Sequence, residues 1–211
     1  MQIYLIRHGQ TEENSTGIIQ GWNPGTLTPL GIEQAERLAE RLKTVRFDAI
    51  YSSDSRRAAD TAHIIARFHD TPVQLTEQLR ERGMGVFQGR HFDEFNLAQA
   101  QSGLSETDFK PEGGENLEEL QARAVGFVQS LRARHFRQTV LLVAHGRWNT
   151  MLLGAASGLS IEDALKLRQT NTCVNLLECD DAGGFTVPLL NCAAHLDEES
   201  AHIIATAADN S

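Results

Sequence analysis

The sequence predicts an α/β fold, a three-layer sandwich in which helices flank a central, mixed but mostly parallel sheet. Short apolar segments of strand character alternate with amphipathic segments of a dozen or more residues, which is typical of parallel strands joined by crossover helices. Polar or cationic residues directly follow several of these strands, where such sheets bind their ligands. Residues 83–115 interrupt the alternation, so we expect a small helical or irregular lid there.

The first half of the chain contains three predicted strands and two predicted helices. The strands are residues 2–6, 49–51 and 73–75. Thr28 followed by Pro29 is typical of a helix N-terminus, and apolar residues continue at helical spacing to Leu42. A second helix is expected over residues 54–68.

The second half repeats the pattern after an irregular stretch over residues 90–114. Helices are expected at 117–134, 147–157 and 161–168. The continuous apolar run TVLLVA at 139–144 predicts a central strand, and the segments 173–178 and 185–189 around DDAGG predict a closing hairpin. We expect one domain over residues 1–196 and a flexible tail over 197–211.

Composition excludes several classes of protein. Apolar residues make up 41% and charged residues 22% of the chain, as in soluble globular domains, and no apolar run could span a membrane. The three cysteines lack metal-ligand spacing, and the first residues do not resemble a signal peptide, so a cytoplasmic location is expected. The net charge of −9 disfavours nucleic acid as a partner. A homodimer is possible.

Four side chains from three separate segments suit phosphoryl transfer. Arg7 and His8 end the first strand, His145 ends the TVLLVA strand, and Glu81 lies within LRER. An unprotonated imidazole nitrogen can attack phosphorus, and arginine binds phosphate oxygens through paired donors. A carboxylic acid can protonate the departing oxygen and later deprotonate water. Gathered arginines would also explain how an acidic protein accepts an anion.

Each of these elements also has a purely structural interpretation. A histidine at a strand end is often a turn residue, LRER could be a surface ion-pair cluster, and Arg56 with Arg57 could face solvent at the start of a helix. Trp22 and Trp148 are more commonly core residues than pocket residues. Arg147 could bind a second anionic group or face solvent. The joint occurrence of the motifs favours a site.

The successive motifs resemble those of the histidine phosphatase superfamily, also called phosphoglycerate mutase-like. They are LIRHGQTEEN, QGWNPGTLTPLG, SSDSRRAADTA, LRERGMGVFQG, EGGENLEEL and LLVAHG, and the resemblance runs from about residue 3 to 180. It implies that His8 becomes phosphohistidine and that Glu81 is the general acid/base. It further implies that Arg7, Arg57 and His145 hold the phosphate, whereas Arg56 occupies a variable position.

The resemblance also implies substrate contacts from Asn14, Gln20 and Gly21, and we expect Gly146 beside them. A bound phosphate dianion would favour the protonated form of Glu81 through like-charge repulsion. Because arginines supply the positive charge, no metal and no cofactor are expected. The expected partner is a small phosphorylated metabolite.

Hydrolysis and phosphoryl transfer between positions of a substrate share the same phosphohistidine. Residues 83–122 carry two fixed positive charges, Arg90 and Lys110, against eight acidic residues, which is unsuited to retaining a doubly phosphorylated intermediate. Metal-independent hydrolysis of a small phosphomonoester is therefore favoured. A cofactor-dependent phosphoglycerate mutase and, less favoured, a non-catalytic phospho-ligand-binding relative stay open.

Overall fold

A computed structural model describes residues 1–181 and 183–196, and the predicted tail at 197–211 lies outside the described residues. Within these described residues, six strands form one sheet in the order β3-β2-β4-β1-β5-β6. They are β1 (Gln2–Arg7), β2 (Ala49–Ser53), β3 (Val73–Thr76), β4 (Thr139–Ala144), β5 (Val174–Cys179) and β6 (Phe185–Cys192). The first four run parallel, whereas β5 and β6 are antiparallel to their neighbours, so the predicted mixed α/β fold is confirmed.

Seven α-helices accompany the sheet in the part of the chain that the structure describes. They are α1 (Glu12–Thr16), α2 (Pro29–Leu42), α3 (Arg56–Ala66), α4 (Phe92–Ser102), α5 (Leu117–Arg134), α6 (Gly146–Ala156) and α7 (Ile161–Ala164). The side chain of Thr28 accepts a hydrogen bond from the backbone N–H of Gly31, which is the capping that the Thr28–Pro29 pair predicts.

Alternate residues of the strands face opposite layers. Ile3 and Leu5 pack in one apolar cluster with α5 and α6, whereas Ile6 packs in a second cluster with α2 and α3. Both faces of β2 and β4 are buried, as expected for central parallel strands. The sheet is therefore a rigid middle layer that fixes where its strand ends lie.

The lid, residues 83–115, has a small apolar core of its own. Ile19, Met84 and Phe95 are buried together, and Phe87 and Phe109 pack against them. Helix α4 begins after His91, whose ring accepts from the N–H of Asp93, in a stretch where the sequence shows no periodicity. Apolar residues do not recur at helical spacing in α4 because Phe95 is its one buried residue.

Several predicted boundaries were wrong. The helix expected over residues 54–68 is α3, which is shorter at both ends, and the helix expected over 161–168 is the single turn α7. Helix α1, which follows Thr11, was not predicted at all. Among the described residues, the structure contains no helix with the length and apolar character that a membrane span requires.

Candidate active site

The ends of β1 and β4 bring two histidines together. Arg7 lies opposite Ala144 in the parallel ladder, and the backbone N–H of His8 donates to the carbonyl of Ala144 at 3.1 Å. His8 and His145 are therefore the residues that follow two adjacent strands at the same edge. Their ring centroids are 5.1 Å apart.

His8 is buried and held in one orientation. Its Nδ1 lies 2.7 Å from the carbonyl oxygen of Gly9, which can only accept, so the ring proton is on Nδ1. Its Nε2 then carries a lone pair, toward which Arg57 Nε donates at 3.3 Å. Burial, followed by the charges of Arg57 and Arg7, holds the pKa of His8 well below its usual value. His8 therefore presents a neutral, unprotonated Nε2.

Arg57 is fixed by backbone carbonyls. Its Nη1 donates to the carbonyls of Asn23 and Pro24 at 2.5 and 3.3 Å, and its Nη2 donates to Gly21 at 2.9 Å. Burial above all lowers its pKa to about 10, which leaves the guanidinium charged at neutral pH. The neighbouring Arg56 is exposed and forms an ion pair with Asp60, away from the histidines.

Arg7 is the second buried cation beside His8. Its Nη1 donates to the carbonyl of Gln169 at 2.5 Å, and its Nε has no hydrogen-bond partner among the described residues. A Cβ at Gly146 would come within 3.5 Å of that Nε. Glycine at this position therefore leaves the space in front of Arg7 open to a ligand.

His145 is fully buried, and neither of its ring nitrogens has a hydrogen-bond partner within the described part of the chain. Burial, and then the charge of Arg57, hold its pKa well below the ordinary value. Buried polar atoms are rarely left without partners in folded proteins. A neutral imidazole here has one N–H, which can donate to an oxyanion bound beside it.

Glu81 is held at the N-terminus of α6. Its Oε1 accepts from the backbone N–H groups of Arg82 and Trp148 at 2.9 and 3.1 Å, and its Oε2 accepts from that of Arg147 at 3.1 Å. Since the first N–H groups of a helix lack partners within the helix, they orient the carboxylate. Trp22 Nε1 also donates to the Glu81 carbonyl, at 2.9 Å.

Arg7, His8, Arg57 and His145 together form what we call the phosphate floor. Three of them, with Glu81 and the predicted substrate residues Asn14, Gln20, Gly21 and Gly146, line one cavity of about 280 Å³. His145 is not part of the cavity wall but contacts His8 behind it. The Oε1 atom of Gln20 is buried without a partner among residues 1–181 and 183–196.

The two tryptophans lie outside the cavity wall. Trp148 is fully buried in the core, and its Nε1 donates to the carbonyl of Gln78 at 2.8 Å. Trp22 is partly exposed, with the Arg80 guanidinium 5.8 Å from its ring. Both positions agree with the interpretation that these residues pack against the protein rather than a ligand.

The sequence did not single out Arg82, whose buried side chain also lines the cavity. Arg82 donates to the carbonyls of Glu115 and Phe109 at 2.9 and 2.6 Å, which attaches it to the lid. The charges counted in the sequence analysis were those of residues 83–122, so Arg82 was left out by one position. The sequence could have indicated Arg82 through its position in the LRER motif, next to Glu81.

The loop before β5 was also missed. It supplies Gln169 to Arg7, and Asn171 Nδ2 donates to the His8 carbonyl at 3.0 Å. Thr172 in this loop has a positive φ of 55° and its hydroxyl lies 3.0 Å from His195 Nε2. No local motif marks these residues, because their role depends on β5 pairing with β1.

Arg147 and Glu106 form an ion pair of 3.0 Å in the cavity wall. Their side chains are 40% and 36% exposed. We call Arg82, Glu106 and Arg147 the mouth of the cavity, since they border it on the lid side. In the described residues, no group of three or more His, Cys, Asp or Glu side chains is placed to hold a metal ion.

Comparison with protein families matches residues 3–193 to the model of the histidine phosphatase superfamily, branch 1. Among similar proteins, phosphoglycerate mutase-like protein 4 of Arabidopsis thaliana is 33% identical over 207 residues, which cover 93% of this chain and 87% of that protein.

Two solved structures are similar in fold and in sequence. Bacillus stearothermophilus YhfR has a TM-score of 0.86 and 32% identity, covering 93% of this chain and 99% of its own. The phosphoserine phosphatase of Entamoeba histolytica, in complex with 3-phosphoglyceric acid, has a TM-score of 0.82 and 30% identity, with coverage of 93% and 99%.

Proposed function

The chain belongs to branch 1 of the histidine phosphatase superfamily, and from that premise we propose that it hydrolyses a small phosphomonoester through a phosphohistidine on His8. The family resemblance of the motifs is thereby confirmed, and phosphatases among the relatives agree with the predicted class of phosphoric monoester hydrolase. The observation that carries the proposal is the neutral, buried His8, whose unprotonated Nε2 lies beside Arg57 in an arginine-lined cavity.

In the first step, Arg7 and Arg57 bind the phosphate oxygens. His145 is buried behind His8 without a hydrogen-bond partner among the described residues, and we propose that its N–H donates to a phosphate oxygen once the phosphate is seated against His8. His8 Nε2 attacks phosphorus, an N–P bond forms, and the ester P–O bond breaks. Glu81 transfers its proton to the departing oxygen, and the product alcohol leaves. The Gly9 carbonyl keeps its hydrogen bond to Nδ1–H, which stabilises the positive charge that develops on the ring.

In the second step, Glu81 accepts a proton from water as the water oxygen attacks phosphorus. The N–P bond breaks, inorganic phosphate is released, and His8 and Glu81 return to their initial states. Positive charge for both steps comes from the fixed guanidinium groups, so the proposed reaction needs no metal and no cofactor. Because Arg57 is attached to the protein through backbone carbonyls, it keeps its position during both steps.

A mutase is the second candidate. The cavity contains two cations beyond the phosphate floor, Arg82 and Arg147, which could hold the second phosphate of a bisphosphorylated intermediate. Against this, Glu106 already neutralises Arg147 and the lid is strongly acidic. A larger surplus of positive charge would be needed for a doubly phosphorylated ligand, and hydrolysis is the better supported reaction.

The test combines phosphate release with trapping of the intermediate. The protein is mixed with a ³²P-labelled phosphomonoester in EDTA and quenched in alkali, which preserves phosphohistidine. We expect label on the wild-type chain and on a His63→Ala control, since His63 lies on α3 outside the cavity. We expect none on His8→Ala.

Label on His8→Ala would remove His8 as the nucleophile. Labelled protein that transfers its phosphoryl group to a second phosphorylated molecule faster than to water would favour the mutase.

A further inference from the structure

The backbone that carries Glu81 is held by a side chain of α5. Arg123 Nη1 donates to the carbonyls of Gln78 and Arg80 at 2.9 and 2.8 Å. Its Nη2 donates to the carbonyl of Glu81 at 3.1 Å. Because the donors of a guanidinium lie in one rigid plane, a group that joins three carbonyls also fixes their spacing.

Glu115 holds Arg123 and the end of the same segment. Its Oε1 and Oε2 accept from Nε and Nη2 of Arg123 at 2.9 and 2.8 Å, and Oε2 also accepts from the N–H of Gly83 at 2.8 Å. Both side chains are only 16% exposed, and neither borders the cavity. A paired, shielded contact of this kind is among the stronger ion pairs in proteins. We call Arg123 and Glu115 the clamp.

The EGGENLEEL motif places the clamp against the LRER motif. The backbone N–H of Glu115 donates to the carbonyl of Gly83 at 2.8 Å. A Cβ at position 114 would lie 2.4 Å from that carbonyl oxygen, so the two chain segments can come this close because residue 114 is a glycine. The contact gives the second motif a role beside the first.

We propose that the clamp positions the general acid, by holding the backbone of residues 78–83 so that the Glu81 carboxyl group stays within reach of the departing ester oxygen. This rests on the proposed function. The carboxyl group is fixed to the start of α6, and α5 and α6 share one apolar cluster. The clamp, attached to α5, therefore sets the distance between that carboxyl group and its own backbone. A misplacement of about 1 Å can cost about 10²-fold in rate.

The clamp could instead only stabilise the fold. A loss of folded protein lowers the hydrolysis of every ester by the same factor, whereas a misplaced acid slows only those esters whose leaving oxygen needs a proton. The informative quantity is the ester ratio, by which we mean kcat/KM for ethyl phosphate divided by kcat/KM for p-nitrophenyl phosphate. This ratio does not depend on the fraction of active protein, and each kcat/KM reports the steps up to cleavage of the ester bond.

The experiment measures the ester ratio in two variants of the clamp. We expect it to fall about tenfold in Arg123→Gln and about threefold in Glu115→Gln, which leaves the guanidinium in place. Both effects should be smaller than that of Glu81→Gln, because Trp22 Nε1 still donates to the Glu81 carbonyl. Inhibition by inorganic phosphate should be unchanged, since the phosphate floor is not altered.

Lys110→Gln is the matched control. Lys110 also connects the lid to α5 through an ion pair, with Glu119 at 2.6 Å, but both side chains are about half exposed. The ester ratio should change by less than about twofold, as expected for an exposed pair that does not contact the LRER segment.

A double variant distinguishes positioning from stability. In Glu81→Gln no acid remains to be misplaced, so adding Arg123→Gln should lower the ester ratio no further. A further fall would overturn the clamp proposal, and so would an unchanged ratio in Arg123→Gln when Glu81→Gln alters it. If Arg123→Gln yields no folded protein, Glu115→Gln, alone and with Glu81→Gln, decides by the same criteria.

Failure of the proposed function gives a different result. No hydrolysis of either ester by the wild-type protein, or an unchanged ester ratio in Glu81→Gln, contradicts the proposed function and the role of the clamp with it.

Discussion

The phosphate floor and the mouth hold their charged groups in different ways. In the floor, Arg7 and Arg57 donate to backbone carbonyls of distant segments, and both are buried. In the mouth, Arg82 is buried and donates to backbone carbonyls as the floor arginines do, but Arg147 is held by the side chain of Glu106, and these two side chains are partly exposed. Backbone contacts cannot rearrange when a ligand arrives, whereas a side-chain pair can exchange partners. The floor thus suits a group present in every substrate, and the mouth suits a variable one.

Glu81 lies between the two regions, and its replacement should have the largest effect. Glu81→Gln removes the proposed proton donor, and an amide nitrogen cannot accept from the N–H of Arg147 or Trp148. We expect kcat to fall about 10³-fold for alkyl phosphates. The fall should be much smaller for p-nitrophenyl phosphate, whose leaving oxygen does not require a proton. Steady-state assays with both esters check this, and an equal fall for both would remove Glu81 as the acid.

Arg57→Lys tests the rigidity of the floor. An ammonium group keeps the charge but cannot span the carbonyls of Gly21 and Asn23 while also facing His8. We expect kcat/KM for phosphate release to fall about 10²-fold. Arg56→Lys is the matched control and should change it by less than about twofold, since Arg56 contacts Asp60 on the surface. Equal effects of Arg57→Lys and Arg56→Lys would contradict the assignment of Arg57, and not Arg56, to the phosphate floor.

His195 contacts Thr172 in the loop before β5 and should make stability depend on pH. Burial, and then the charge of Arg41, lower its pKa to about 4 in the folded chain, against 6.5 when unfolded. The unfolded chain therefore binds more protons between these values, so stability is complete above pH 6.5 and is lost as pH falls. The pKa values of His8 and His145 are also lowered in the folded chain, so these residues likewise reduce stability as the pH falls.

By this linkage, His195 accounts for about 2 kcal/mol of the stability lost between pH 7.5 and pH 5. Urea unfolding at the two pH values should show a loss smaller by that amount in His195→Gln than in the wild type. His63→Gln should retain the wild-type loss. An unchanged loss in His195→Gln would show that His195 titrates normally in the folded protein.

Thr107→Val gives the smallest expected effect, because it removes one contact between the lid and α7. We expect kcat/KM to change by less than about threefold, and equally for every ester, as a partly exposed hydrogen bond contributes about 1 kcal/mol. A change that differs between esters would mean that the position of the lid itself selects the substrate. In that case the distinction between floor and mouth would need revision.

The floor was largely predictable from the sequence, and the mouth was not. Arg7, His8 and His145 directly follow strands that apolar runs mark clearly, and parallel pairing places them at one edge. Arg82 and Glu106 belong to a segment whose small core includes Phe95 and Met84, too few apolar residues to produce a periodic pattern. Their proximity to Arg147 depends on how the lid packs, which local sequence does not encode.

Helices, too, were predictable where they bury a large apolar face and not where they bury little. Helices α2 and α5 bury long apolar faces and were predicted closely, whereas α1 has no buried residue and α4 has one. The loop at 169–173 was missed for a different reason. Its contribution to the site depends on β5 pairing antiparallel to β1, and neither strand sequence indicates that partner.

The antiparallel position of β5 beside β1 also determines when the site can form during synthesis. Arg7 depends on the carbonyl of Gln169, 162 positions later, and His8 on Asn171, 163 positions later. A ribosome-bound chain that has exposed only its first 160 residues contains every side chain of the phosphate floor but not the loop that orients it. We therefore expect the nascent protein to gain activity only after its last strands emerge, so that activity would report completion of the whole sheet.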